Sequence, residues 1–490
     1  MINHVIEQII MKKLIEKYND SPVQIKASVW FLVCAFLQKG ISMITTPIFT
    51  RLLSTSEYGN YNVFNSWLNI VAIFVSLNLS YGVFTQGLVK YEDDRKRFAS
   101  SMQGLSTLLV MLWTMIYLAF HNFWNNLFSL TTVQMLAMLL MIWTSAVFNF
   151  WAAEQRVLYK YRMLVVITLI VAIAKPIIGI IFVTIATDKV TARILGLVLV
   201  ELVAYMGLYC VQLGRGKQFF NKKYWIYALN YNIPLVPHYL SQTVLNSSDR
   251  IMISSMAGND EAGIYSLAYS ISLIMTLFNT ALMQTISPWI YQKIKNHRVA
   301  DIKKVAYSTL IVIAIVNLVL ILMAPEVVAI FAPPSYYKAI WIIPPVAMSV
   351  YFMYAYDLFA KFAFYYEKTK MIMCASVIGA VLNIVLNFIC IKKFGFIAAG
   401  YTTLICYMVY SIAHYCFMNH VCRKYGDGER PYDIRVLLKI TLLFMLCAFA
   451  LLSTYNYSSI RYAIFVIILI IVVLKRKKLI QIVEDIVKCR

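Results

Sequence analysis

QKGISMITTPIFTRLLSTSEYGNY, residues 38–61, sets a lysine, a proline and an arginine inside one apolar helical stretch and ends on a helix-start signal. A second stretch, DRIMISSMAGNDEAGIY, residues 249–265, repeats that ending: Glu261, Gly263 and Tyr265 follow Glu57, Gly59 and Tyr61 at a constant offset of 204. An arginine lies upstream in each copy, Arg51 and Arg250. A basic loop follows each tyrosine at nearly equal distance, 29 residues to Lys90 and 28 to Lys293. Matched positions with matched flanks predict a chain built from two duplicated halves.

Outward from this pair, the composition is that of a polytopic membrane protein. With 61% hydrophobic residues, 13% charged and a mean hydropathy of +0.72 over 490 residues, the apolar segments far exceed what one soluble core can bury. A net charge of +22 would suit nucleic acid, but the basic residues sit in short loops between apolar runs rather than on a patch, so no nucleic-acid partner is expected. Nine cysteines are scattered singly without a CxxC or Cys/His cluster and read as small core residues. Neither a metal nor a cofactor is expected.

At roughly 20 mostly apolar residues per span, the sequence predicts an all-α fold with about fourteen transmembrane helices. They lie near 27–50, 61–88, 98–120, 133–155, 163–186, 191–213, 231–255, 262–289, 305–331, 339–362, 371–391, 396–418, 436–455 and 459–474. Alternate connections, with the two ends, hold 34 Lys and Arg against 8 on the opposite side, which by the positive-inside rule places both termini in the cytoplasm. Lys392 and Lys393 are an exception to the pattern. Residues 1–26 read as a cytoplasmic amphipathic segment, with Ile2, Val5, Ile6, Ile9, Leu14 and Ile15 at helical spacing, and 475–490 as a basic cytoplasmic tail. No small-residue cleavage site follows the first apolar run, so the first span is expected to stay in place.

The longest cytoplasmic connections divide the chain into an N-lobe at 27–213, a linker at 214–230, a C-lobe at 231–418 and a further helix pair at 436–474. An even number of spans per half makes the repeats parallel across the bilayer. Outer loops no longer than about a dozen residues leave no room for an extracytoplasmic catalytic domain.

Charges inside spans are the informative residues, because a charge at mid-bilayer costs roughly 2.5 to 3.5 kcal/mol even on the lenient insertion scale. Lys39 falls half-way along the first span, and Lys175, followed by Pro176, in the middle of the fifth. They are candidate cations of a water-filled cavity; the alternative is pairing with a carboxylate on another helix, such as Glu154, Glu201 or Asp357. Arg51 and Arg250 stand near outer span ends and are candidates for the cavity mouth. There, however, Arg51 can snorkel to headgroups and Arg250 has Asp249 beside it. Glu201, Asp357, His238 and His414 are the candidates for proton or sodium coupling, although Asp357 can pair with Lys361 one turn on and a lone histidine usually belongs to a core. Tyr351, Tyr354, Tyr356, Tyr365 and Tyr366 could stack on sugar rings or form an aromatic belt. Pro47, Pro234, Pro237 and Pro288, with Pro344 and Pro345, mark expected kinks or hinges. Ser54 and Glu57 have the capping-box spacing, and Gly59 and Gly263 read as close-packing positions.

At QKGISMITTPIFTRLLSTSEYGNY and at DRIMISSMAGNDEAGIYSLAYSIS the chain resembles the polysaccharide or O-antigen repeat-unit flippases (Wzx-type) of the multidrug/oligosaccharidyl-lipid/polysaccharide exporter superfamily. The resemblance extends in span count and charge topology over nearly the whole chain. It implies a V-shaped pair of six-helix lobes around a cationic cavity in the bacterial cytoplasmic membrane. It further implies a cargo of undecaprenyl-pyrophosphate-linked oligosaccharide for O-antigen, capsule or exopolysaccharide, with polysaccharide polymerase machinery as a partner. No hydrolase activity or nucleotide site belongs to that family, and no P-loop occurs here. A cation-coupled drug exporter of the same superfamily would want cavity carboxylates where this chain has lysines. A lipid-II flippase is separated poorly by sequence. An intramembrane glycosyltransferase or polymerase would need an acidic catalytic site, and the paired Asp93 and Asp94 fall in a basic cytoplasmic loop.

Overall fold

Apolar runs of twenty residues must bond every backbone N–H and C=O internally, which in hydrocarbon leaves the helix as the open-chain solution. The computed structural model describes residues 22–426, 428 and 430–474, and contains no strand among them. The expected amphipathic segment through residue 21 and the basic tail 475–490 lie outside the described residues. The helices are α1 Val23–Leu52, α2 Thr55–Ser76, α3 Val83–Lys90, α4 Arg95–Ala119, α5 His121–Phe128, α6 Thr132–Val157, α7 Tyr161–Ile185, α8 Lys189–Gly216, α9 Lys222–Asn232 and α10 Val236–Met256. They continue with α11 Asn259–Ser272, α12 Thr276–Lys295, α13 Ile302–Leu322, α14 Ala324–Phe331, α15 Ile343–Tyr365, α16 Thr369–Phe394, α17 Ala398–Tyr425, α18 Ile434–Leu452 and α19 Ser458–Leu474.

A helix stands at each of the fourteen expected spans. Nine described helical segments are long and apolar enough to cross a membrane by length and composition, or ten with the pair Pro334–Trp341 and α15, which meet at 47°. Those that fall short of that measure are α2, α10 and α17, which carry polar residues along their length, and the short α19. In α10 and α17 many of the polar side chains are buried inside the fold, Ser248, Asp249, Thr402, Thr403 and His414 among them, so low hydropathy here reflects interior bonding.

The chain forms two compact units: Met1–Leu52 with Leu68–Val236, and Leu53–Trp67 with Pro237–Arg490. The start of α2, with the repeated motif, packs in the second. In the first unit, α3, α4, α6 and α9 enclose an aromatic core in which Phe84 lies 5.6 Å from Phe98 and 4.7 Å from Phe150. The linker is largely helical: α9 closes this core with Tyr224, and Asn232 donates to the carbonyls of Leu77 and Asn78, two residues at positive φ that end α2.

In the second unit α15 packs along α17, and α18 docks on α15, with Tyr351 stacked 4.5 Å from Phe444 and hydrogen-bonded to Thr441. Arg461 at the start of α19 is bonded to Glu326 of α14, and the Tyr455 hydroxyl donates to the Ile321 carbonyl, so the helix pair is fastened to the unit. Pro47, Pro176 and Pro288 lie inside continuous helices. Pro234 instead sits in a 3-10 turn, Ile233–Leu235, that separates α9 from α10, and Pro237 in the first turn of α10. Pro344 and Pro345 open α15 at its first turn, where a missing N–H has no cost, so they start a helix rather than kink one.

The repeated motif is now explicable. Glu57 accepts from the Ser54 amide at 2.8 Å and the Glu57 amide donates to the Ser54 hydroxyl at 3.1 Å, a complete capping box on α2. At the equivalent place in the second copy the cap is Gly258, held at φ 120°. Both motifs lie in the second unit, and they meet: a Cβ on Gly59 would stand 1.9 Å from the Asn259 carbonyl oxygen, and one on Gly263 2.2 Å from the Thr55 carbonyl oxygen. Thr55 also donates its hydroxyl to Asp260 across the same crossing.

Candidate functional site

Two clusters of buried polar groups, one in each unit, carry the charges that the helices place at depth. In the first unit α7 brings Lys175 to Glu201 of α8, Nζ to Oε1 at 2.6 Å. Glu201 is 2% exposed, whereas the lysine side chain keeps 30% of its surface. The other carboxylate oxygen accepts the Thr144 hydroxyl of α6 at 2.5 Å, and Thr144 has a second acceptor in the Met141 carbonyl at 3.1 Å. The expected mid-span cation is therefore the accessible half of an ion pair. Further along the same helices Glu154 accepts from Gln212 at 2.8 Å, which in turn accepts from Gln103.

Lys39 stands differently. It lies near the middle of α1, about 20 Å from the helix end at 1.5 Å per residue. It is exposed, and among the described residues no hydrogen bond or ion pair holds it. α1 is thinly covered, with 11% of its apolar stretch buried, and packs within its unit against α7. Arg51, also exposed, folds back to the Pro47 carbonyl at 2.9 Å. Near it, Lys189 donates to the Leu52 carbonyl and the Arg193 guanidinium lies 3.6 Å from the Phe49 ring centroid, both securing the end of α1.

In the second unit Asp249, 1% exposed, is the central group. Its neighbour Arg250 turns away to the Asn246 carbonyl at 3.0 Å and the Tyr269 ring at 4.3 Å, because adjacent residues on a helix point about 100° apart. Asp249 is held by neutral donors: the Tyr265 hydroxyl at 2.6 Å, the Thr403 hydroxyl at 2.9 Å and the Asn387 amide at 2.5 Å. Asn383 joins through Ser248 and Asn387, and Thr402 through Asn387. Polar residues recurring at helical spacing on α10, α16 and α17 were the sequence signal for this seam, which the reading of Asp249 as a partner for Arg250 passed over.

The remaining candidates belong to the second unit. Asp357 pairs with Lys361 at 2.6 Å, one turn on. His414 is 1% exposed with its ring 4.6 Å from Tyr410 and 5.5 Å from Tyr356. His238 lies at the start of α10, its Nδ1 buried and unbonded among the described residues. The tyrosines singled out for stacking pack on the chain itself: Tyr356 on Tyr407 and Tyr410, Tyr365 on Tyr291, and Tyr366 on Tyr425. No group of three or more His, Cys, Asp or Glu that could hold a metal occurs among the described residues.

Outside the spans, two ionisable groups fasten the basic loops. Burial raises the Tyr224 phenol to about 12, and its hydrogen bond to the Asp94 carboxylate adds to the effect. The Asp301 carboxyl is held below its ordinary value by its hydrogen bond from Lys293, at 2.7 Å, with Arg298 beside it at 2.8 Å.

A family profile described as polysaccharide biosynthesis protein matches residues 25–294, and a second, described as MatE, matches 234–389. A search of curated proteins returns no match. Among solved structures the chain is similar to an inward-facing multidrug resistance MATE family transporter of the MOP superfamily, at 12% identity and a TM-score of 0.57, covering 79% of this chain and 96% of that one. A mutant Vibrio cholerae MATE transporter is similar at 10% identity and 0.56, covering 82% and 97%. A MOP superfamily transporter from Pyrococcus furiosus, described as having a binding pocket of reverse polarity that suggests a different function, is similar at 12% and 0.53, covering 82% and 96%. The all-helical fold is that of these transporters, and the chain is a multi-pass membrane protein.

Proposed function

We propose, from the premise that the chain belongs to the polysaccharide biosynthesis protein family, that it is a flippase. Its cargo in this reading is undecaprenyl-pyrophosphate-linked oligosaccharide repeat units, moved from the cytoplasmic to the outer leaflet of a bacterial cytoplasmic membrane. Both termini are then cytoplasmic, and the polymer is a surface polysaccharide.

The observation that carries the reading is Lys39. An ammonium exposed at mid-span without a partner among the described residues does not face hydrocarbon, so the surface of α1 that presents it is wet or occupied by an anion. A pyrophosphate diester carries about two negative charges, and moving it through a membrane requires cationic groups that replace its hydration. Lys39 supplies one such group and Lys175, whose side chain keeps part of its surface, a second. Arg51 and Arg250, each tied to a carbonyl one turn back within its own unit, are the further candidate cations of this reading. Cargo shifts the two access states only by its different affinity for them.

The test is complementation of a deletion strain. Lys39→Ala should abolish surface polysaccharide at unchanged protein level in the membrane, and Lys39→Arg should retain it. Wild-type polymer from the double variant Lys39→Ala, Lys175→Ala would overturn the assignment.

A further inference from the structure

We infer that the Lys175–Glu201 pair is an anion-exchange site: a phosphate of the cargo displaces Glu201 from Lys175, and Glu201 then takes up one proton. The inference rests on the flippase reading and adds to it a coupling of cargo binding to proton uptake in the first unit.

The pair is asymmetric. Lys175 keeps 30% of its side-chain surface while Glu201 keeps 3%, so the lysine is the partner open to an incoming anion. Once the ammonium turns to the anion, Glu201 is left as a buried charge without a cation. Such a state is strongly disfavoured, and neutralisation relieves it. The balance is simple. Lysinium and carboxylate, with one phosphate charge and one proton from water, become a lysinium–phosphate pair and a neutral carboxylic acid.

Thr144 makes the neutral state admissible. In the structure its hydroxyl donates to Glu201 at 2.5 Å, but the Met141 carbonyl lies 3.1 Å from the same oxygen. Turning the hydroxyl hydrogen to Met141 lets Thr144 accept the new Glu201 O–H, so both charge states are hydrogen-bonded without backbone movement.

The surroundings supply no replacement cation. α8 packs against α4, α6 and α7. On α7 the other ionisable groups are Tyr161 and Arg162 at its start, and on α6 they are Glu154, bonded to Gln212, and Arg156 at its end. On α4 none lies between Arg97 and Tyr117. On α8 itself Tyr205 lies one turn from Glu201, Tyr209 and Cys210 lie further along, Arg193 is engaged on Phe49 and Lys189 on Leu52, and Arg215 is near the far end. A proton is the small cation that can enter.

The experiment uses the purified full chain in detergent and a farnesyl diphospho-sugar. This diester has no proton of its own to exchange between about pH 5 and 8. Calorimetry in buffers of different ionisation enthalpy counts protons per ligand bound. Wild type should take up about one proton, and affinity should tighten about tenfold per unit fall in pH where uptake is complete. Glu201→Gln should bind the probe with no proton uptake and no pH dependence. Binding without uptake by the wild type overturns the exchange and leaves the flippase reading standing. Absence of binding by the folded wild-type chain overturns both. Uptake that persists unchanged in Glu201→Gln removes Glu201 from the proposal, and the wild-type proton count does not depend on any variant folding.

Discussion

Gly59→Ala tests the crossing of the two motif copies. The added methyl would lie 1.9 Å from the Asn259 carbonyl oxygen and 2.9 Å from the Gly263 amide, where heavy atoms normally settle about 3.5 Å apart. The helices must therefore part by about 1.5 Å at the crossing. Both obstacles are helix backbone, which has no rotamer to change, so the overpacking cost belongs at the upper end of its range, about 3 kcal/mol. Parting also strains the Thr55 to Asp260 hydrogen bond, worth about 1 kcal/mol. Against this, alanine gains about 1 kcal/mol of helix propensity over glycine, leaving a net loss of about 3 kcal/mol. Gly207→Ala is the control: nothing lies within 4 Å of its Cβ position, so only the gain applies. Unfolding in a graded detergent–SDS mixture should then separate the two variants by about 4 kcal/mol. Gly263→Ala added to Gly59→Ala should cost much less than it does alone, because the helices are already apart. Equal stability of Gly59→Ala and Gly207→Ala would refute the crossing.

Glu326→Gln should loosen the terminal helix pair by about 3 to 5 kcal/mol, since it leaves Arg461, with 5% of its side chain exposed, without its carboxylate. Replacing both, Glu326→Leu with Arg461→Met, should recover most of that loss in the same unfolding assay. The tie between α12 and α13 should depend on acid: Asp301 is depressed in the folded state, so its contribution is full above the ordinary carboxylate range and is lost as pH falls through the lower folded value. Pepsin cleavage within residues 296–301 should therefore appear only well below about pH 4, and Asp301→Asn should be cleaved at any pH where the protease works. Tyr224→Phe should weaken the contact between α9 and the Asp94 loop by about 1 kcal/mol, read as faster amide exchange in residues 222–228.

Features that depend on neighbours in sequence were legible, and those that depend on partners far along the chain were not. The long apolar helices followed from apolar length, and the Ser54–Glu57 box and the Asp357–Lys361 pair from spacings of three and four residues. Lys175 was recognised by its depth, but its partner Glu201, 26 residues on, could be offered only as one of three carboxylates. Asp249 went to Arg250 because they adjoin, whereas helix geometry sends it to Asn387 and Thr403, 138 and 154 residues away. Gly59 and Gly263 were identified as close-packing residues; that each packs on the other's helix is a fact of topology, which no local pattern carries.

That reciprocity bears on ancestry. Where Gly59 approaches Asn259 and Gly263 approaches Thr55, equivalent positions of two copies contact each other in turn, which is the rule for a two-fold self-complementary interface. A half-length chain bearing one copy of the motif would present the same surface to a second molecule of itself. Gene duplication would then have joined a pre-existing homodimer into one polypeptide, freeing each copy to diverge: one kept a serine cap at residue 54, the other a glycine at 258.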